Sequence, residues 1–142
     1  MFSHILVAWD GSPNSQRALD YGVEIARRFS ARLALVSVAR AAEHAETEAE
    51  RKGSLDDARR FFDESSARAI EGIRSKGVEI EATIVEGAHP AEAIVDLAHG
   101  VGADLIVVGR RGLSGFTRFL MGSIADRIAR YAKCPVLIID DR

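Results

Sequence analysis

Val78-Glu79-Ile80-Glu81-Ala82-Thr83-Ile84-Val85 breaks the rhythm of a chain that otherwise alternates continuous apolar runs with helical patterns. Its apolar and polar side chains exchange places residue by residue as far as Ile84, the period of a strand with one wet face. Ile5-Leu-Val-Ala-Trp9, Leu33-Ala-Leu-Val-Ser-Val38 and Leu105-Ile-Val-Val108 show no such alternation. Apolar runs of that length suit strands buried on both faces. The half-polar segment therefore belongs at a sheet edge and the other three toward the middle. Pro135-Val-Leu-Ile-Ile139 supplies a fifth strand.

Helical spacing fills the intervals. Ser12-Pro13 offers a capping hydroxyl, then a proline at the first helical position, where its missing N–H costs nothing. Ala18, Gly22, Ile25, Ala26 and Phe29 continue one face of that helix. Leu55, Ala58, Phe62, Ser65, Ala69 and Ile73 mark a second, expected to end at Gly77. A third follows Pro90 with Ala91, Ile94, Val95 and Ala98 inward, and a fourth carries Ile124, Ala125, Ile128 and Ala132. Residues 39–53 are polar, lack an apolar stripe and read as a mobile loop, with frayed helix as the alternative. Five strands separated by four helices predict an α/β fold: an open five-stranded parallel sheet with helices on both faces.

The size agrees with one domain spanning residues 1–142, because 142 residues lie near the usual length of a single core. About two-thirds of the chain's surface is buried at this mass, enough for stability without disulfides or a structural metal. Cys134 is the single cysteine, so no internal disulfide can form. A net charge of −2 argues against a dedicated nucleic-acid or anionic-membrane binder. No stretch approaches the ~20 apolar residues that span a bilayer. The opening residues lack a basic segment before Asp10, unlike a secretory signal. A cytoplasmic protein is the expectation.

Candidate chemistry concentrates in Gly109-Arg-Arg-Gly112-Leu-Ser-Gly115-Phe-Thr-Arg-Phe-Leu-Met-Gly122-Ser123. This strand-to-helix connection falls at the carboxyl end of a parallel sheet, where ligands bind in such folds. Glycines let backbone amides approach an anion, and a helix N-terminus adds free donors and a positive dipole end. Ser123 offers a hydroxyl; Arg110, Arg111 and Arg118 offer counter-charge. The alternative is that the glycines only shape a long connection. No Gly-Lys-Ser/Thr occurs, so this is not a Walker-type ATPase.

The spacing Gly109-x2-Gly112-x9-Gly122-Ser123 resembles the signature of nucleotide-binding members of the universal stress protein family. The resemblance extends over the whole chain, through Ile5-Leu-Val-Ala-Trp-Asp10-Gly-Ser12, Gly87-Ala-His-Pro90 and Cys134-Pro-Val-Leu-Ile138. It implies the strand order 3-2-1-4-5, in agreement with the half-polar third strand at an edge. It implies that Gly109, Gly112, Gly122 and Ser123, with Arg110 beside them and the backbone at Ile124, hold the phosphates of ATP. Asp10 would contact ribose or a phosphate-bound Mg²⁺; Val38 and Ala8 would line the adenine pocket. Trp9 would lie near that pocket too, but it is larger than expected before that aspartate, which leaves open whether it faces the pocket or the helices.

Duller roles compete at several positions. Asp10 precedes Gly-Ser-Pro and can form an Asx-turn; His89 reads as a helix-entry residue, His4, His44 and His99 as solvated, and Cys134 as a small filler. The apolar last strand, Val136-Leu-Ile-Ile139, lies at an edge that a second copy would cover, so a homodimer is expected. The leading expectation is an ATP-binding regulatory module with an unknown protein partner and slow hydrolysis. The alternatives are a nucleotide-free dimeric interaction module and an ATP-using adenylating enzyme.

Overall fold

The computed structural model describes residues 1–111 and 121–140. Along the chain come β1 (His4–Ala8), α1 (Pro13–Phe29), β2 (Arg32–Ala39), α2 (Glu48–Glu71), a 3-10 turn (Arg74–Lys76), β3 (Ile80–Glu86), α3 (Pro90–Val101), β4 (Leu105–Gly109), α4 (Ser123–Tyr131) and β5 (Val136–Ile139). The strands form one sheet in the order β3-β2-β1-β4-β5. All four pairings are parallel, with Ala8 opposite Val36, Val7 opposite Val107, Val38 opposite Val85 and Val107 opposite Leu137. The expected fold and strand order are both observed. β3 lies at the edge its alternating sequence demands.

Period-two alternation divides the core. Ile5, Val7 and Trp9 of the first strand segment join Leu33 and Leu35 against Leu19, Val23 and Ala26 of α1 and Ile70 of α2. Leu6 joins Ala34, Val36, Ile106 and Val108 against Ala91, Ile94 and Ala98 of α3 and Ala125 and Ile128 of α4. Consecutive side chains on a strand take opposite faces, so this division follows from the sequence once the strands are placed. Trp9 packs its side chain on the α1–α2 side, which settles the alternative the sequence left open, and its indole N–H donates to Ser65 Oγ at 3.0 Å.

Helix α2 departs from the sequence reading at both ends. It begins at Glu48, inside the segment expected to be a loop, because Thr47 caps it: the Glu50 amide donates to Thr47 Oγ1 at 3.0 Å. Glu50 reaches back to accept from the Glu46 amide at 2.8 Å, close to the reciprocal arrangement of a capping box. Its far end is Glu71, with Gly72 at the C-cap. The 3-10 turn then carries the chain to Gly77, whose φ of 80° closes it. Phe29, expected inward, is 44% exposed and packs edge-to-face on Phe2 at 5.3 Å.

The amino ends of the central strands are tied by Asp104, whose carboxylate accepts from the Ser3 amide and hydroxyl, both at 2.9 Å, and from the His4 amide at 3.2 Å. Burial raises the Asp104 pKa, but these hydrogen bonds together outweigh it and hold the carboxyl below its ordinary value. Among the described residues, no helix is long and apolar enough to cross a membrane.

Candidate functional site

In the order 3-2-1-4-5 the chain leaves β1 to build the sheet on one side and later returns to build it on the other. The connections after β1 and β4 therefore diverge, and a crevice opens between the carboxyl ends of those strands. The cavity there measures about 260 Å³, just below the usual range of small-molecule sites, roughly 300–1,000 Å³. Ala8 at the end of β1 and Trp9 and Asp10 just after it border the cavity, with Val36 and Val38 from β2, Val108 and Gly109 from β4, and Arg110 and Arg111 just beyond β4. Ser12 and Ser15 of the α1 entry, Phe62 of α2, Pro90 and Ile94 of α3, and Gly122, Ser123, Ile124 and Ala125 of the α4 entry complete it.

One end is an apolar slot. Ala8, Val36, Val38 and Val108 share the sheet face that looks toward α3 and α4, where Ile94 closes the opposite wall. The slot also has a polar edge made of backbone. Val36 turns its carbonyl toward β1 and accepts from the Trp9 amide at 2.8 Å. Peptide groups two residues apart on a strand point the same way, and β1 ends at Ala8. The N–H and C=O of Val38 therefore face the crevice beyond the last rung of the ladder.

The α1 entry satisfies itself. Asp10 Oδ1 accepts from the Ser12 amide at 2.9 Å, so Asp10 does form the Asx-turn that was its duller reading, while also bordering the crevice. Gly11 takes φ +82°, and the Phe61 ring lies over it so closely that a Cβ would meet Cζ at 3.1 Å. Ser12 Oγ accepts from the Ser15 amide at 3.1 Å, and Ser15 Oγ donates to the Ser12 carbonyl at 2.9 Å.

The α4 entry differs. Its N-cap is Gly122, which has no side chain to cap with. Helix geometry leaves the amides of Ser123, Ile124 and Ala125 without intrahelical acceptors, and all three residues border the crevice. Ile124, expected on the inner face of α4, is 40% exposed at the mouth. Donors and dipole together favour a negative group at this end. Gly112 and Arg118 lie outside the described residues.

The two described signature glycines have packing reasons of their own. A Cβ at Gly109 would lie 2.8 Å from Asn14 Cβ and 2.9 Å from the Asn14 carbonyl, so β4 and the start of α1 meet only because Gly109 has no side chain. The Gly122 amide donates to the Arg110 carbonyl at 2.8 Å, and a Cβ there would press on that carbonyl at 3.0 Å. Arg110 donates its own amide to the Ile139 carbonyl at 2.7 Å and pairs its guanidinium with Asp140 at 3.2 Å. Its main chain thus joins β5 to the α4 entry.

The sequence reading placed Ala8, Asp10, Val38, Gly109, Arg110, Gly122, Ser123 and Ile124 together, and they line one cavity. It missed Phe62, Pro90 and Ile94, which arrive from distant helices, and Val36, which the two-residue period from Val38 would have supplied. It also missed Asn14, buried beside the crevice, whose Nδ2 donates to the Arg111 carbonyl at 2.8 Å. Asn14 Oδ1 is the one buried side-chain oxygen or nitrogen without a hydrogen-bond partner among the described residues. His89 sits at the N-cap of α3 without a side-chain capping bond and is not part of the lining. Cys134 is partly buried; burial first, then the Asp104 charge, pushes its thiol pKa up.

These features define a doubly wound α/β protein with an uncapped helix entry facing a crevice at the switch point of its sheet. Comparison with known proteins narrows that class. The Universal stress protein family profile matches residues 1–140. The Universal stress protein YxiE of Bacillus subtilis is 35% identical over 150 residues, covering 98% of this chain and 99% of that protein. The solved UspA of Lactobacillus plantarum superposes with a TM-score of 0.87 at 26% identity, over 97% of each chain. A universal stress protein solved in complex with cAMP is 32% identical, with a TM-score of 0.71 and 99% of each chain covered. The chain belongs to the universal stress protein family.

Proposed function

We propose that this protein binds an adenine nucleotide in the crevice, ATP with Mg²⁺, and acts as a cytoplasmic regulatory binding protein rather than an enzyme. The observation that carries the reading is the pairing of an apolar slot with the uncapped α4 entry inside one cavity. A planar base fits the slot between Val38 and Ile94, where the Val38 peptide offers the donor and acceptor that the edge of adenine requires. The phosphates then fall toward Ser123, Ile124 and Ala125. The cAMP complex of a 32% identical family member supports the same ligand class.

Asp10 is the carboxylate among the described lining residues. Mg²⁺ in nucleotide sites is held through one or two carboxylates plus phosphate oxygens, so Asp10 would hold it and the ion would neutralise phosphate charge. Three or four charge-assisted hydrogen bonds at about 1.5–3 kcal/mol each support micromolar affinity, about −8 kcal/mol, after ordering costs. The outer edge of β5 carries half-buried Val136, Leu137 and Ile138; antiparallel pairing with a second copy would cover it, giving a homodimer.

Acid extraction of freshly purified protein, followed by chromatography, is expected to release adenine nucleotide, and calorimetry with Mg-ATP to give a micromolar Kd. Absence of both overturns the reading. It would favour a nucleotide-free dimeric interaction module, which draws on the packing roles of Gly109 and Gly122.

A further inference from the structure

We infer that Asp140 sets how strongly the crevice prefers phosphorylated over unphosphorylated adenosine, by holding the Arg110 guanidinium that borders it. The inference rests on the nucleotide reading above and concerns the same site. Arg110 Nη1 lies 3.2 Å from Asp140 Oδ2, with the two side chains 29% and 40% exposed. The Arg110 main chain is fixed on both sides, by the Ile139 carbonyl at 2.7 Å and the Gly122 amide at 2.8 Å. Only its side chain can move to meet a ligand. The Asp140 main chain is held as well, since Arg17 Nε donates to its carbonyl at 2.9 Å.

A negative charge therefore stands beside the Arg110 guanidinium at the crevice. A half-exposed pair of this kind is weak enough for a phosphate to compete with it. Each phosphate added to the ligand must share Arg110 with Asp140 or draw the guanidinium away from it. Adenosine meets neither cost. Asp140 thus acts as a specificity-determining residue, lowering affinity in proportion to ligand charge.

Calorimetric affinities for adenosine, AMP and ATP in the wild type and in Asp140→Asn test this. The variant is expected to raise the ATP-to-adenosine affinity ratio about three- to tenfold, with AMP between, and the gain should shrink as salt is added. In an Arg110→Gln background most of the gain should vanish, because no guanidinium remains to be released. Asp140→Ser repeats the test should the asparagine disturb the end of β5, and adenosine affinity reports any such disturbance. An unchanged ratio, or the same gain with Arg110 replaced, overturns the inference while leaving nucleotide binding intact. Failure of the wild type to bind either adenosine or ATP sinks the nucleotide reading itself, and this inference with it.

Discussion

Two helix entries face each other across the crevice, and they are built on opposite plans. At α1, four residues separate strand from helix in tight order: Asp10 turns the chain through the Ser12 amide, Ser12 caps through the Ser15 amide, and Pro13 occupies the first helical position. At α4, the approach from β4 runs through the glycine-rich segment, and Gly122 caps with nothing. The first entry spends its polar groups on itself. Among the described residues, no side chain caps the second, and Ser123, Ile124 and Ala125 border the cavity. A helix end that is complete contributes stability, whereas one that is incomplete contributes a place for an acceptor. On the nucleotide-binding reading proposed above, the difference assigns stability to one side of the switch point and ligand capture to the other.

Substitutions that exchange these roles test the contrast. The largest effect is expected at Gly109, where any side chain must push the α1 backbone at Asn14; Gly109→Val should cost about 3 kcal/mol in urea unfolding. Gly122→Glu comes next. A carboxylate at the α4 entry should reduce ATP affinity more than about a hundredfold, roughly 2.7 kcal/mol. Because a Cβ there already presses on the Arg110 carbonyl, unfolding should also show a loss of about 1 kcal/mol.

Ser123→Ala should weaken ATP binding roughly tenfold by calorimetry, the share of one hydrogen bond to a charged group. Its melting temperature should stay put, since Ser123 is exposed. Ser12→Ala should do the reverse, lowering stability by about 1 kcal/mol through the lost cap while changing ATP affinity less than about threefold. Equal effects of the two serine variants on binding would erase the contrast between the entries.

The smallest effect belongs to the opposite end of the same strands. Asp104 has a lowered carboxyl pKa in the folded state, so its stabilisation is complete above the unfolded value of about 3.9 and is lost as pH falls through the lower folded value. Asp104→Asn should remove that part of the acid limb in pH-dependent unfolding. Nucleotide affinity at neutral pH should be unaffected.

Much of this contrast is legible in the residues. Ser12-Pro13 announces the α1 cap, and alternation in residues 78–85 places β3 at the edge. The two-residue period sends Trp9 to one face of the sheet and Ala8 to the other. What escapes the sequence does so for physical reasons. The start of α2 hid because residues 48–53 bear no apolar stripe; the helix is held there by Thr47 and Glu50, and only that spacing signals it. Phe62, Pro90 and Ile94 reach the crevice through tertiary packing that no local pattern encodes. The glycine signature leads to the crevice, which Gly109 and Gly122 border, but a ligand is not the only reason for glycine there. Gly109 and Gly122 are also required by the close approach of Asn14 and Arg110.

Titration of the isotope-labelled protein with Mg-ATP, followed through its backbone amide resonances, tests the central claim most directly. The account predicts the largest shifts at Val38 and at Ser123, Ile124 and Ala125, saturating together with one micromolar Kd, while the Ser15 amide, already bonded to Ser12, moves little. Shifts confined to other surfaces, or none at millimolar ATP, would contradict it.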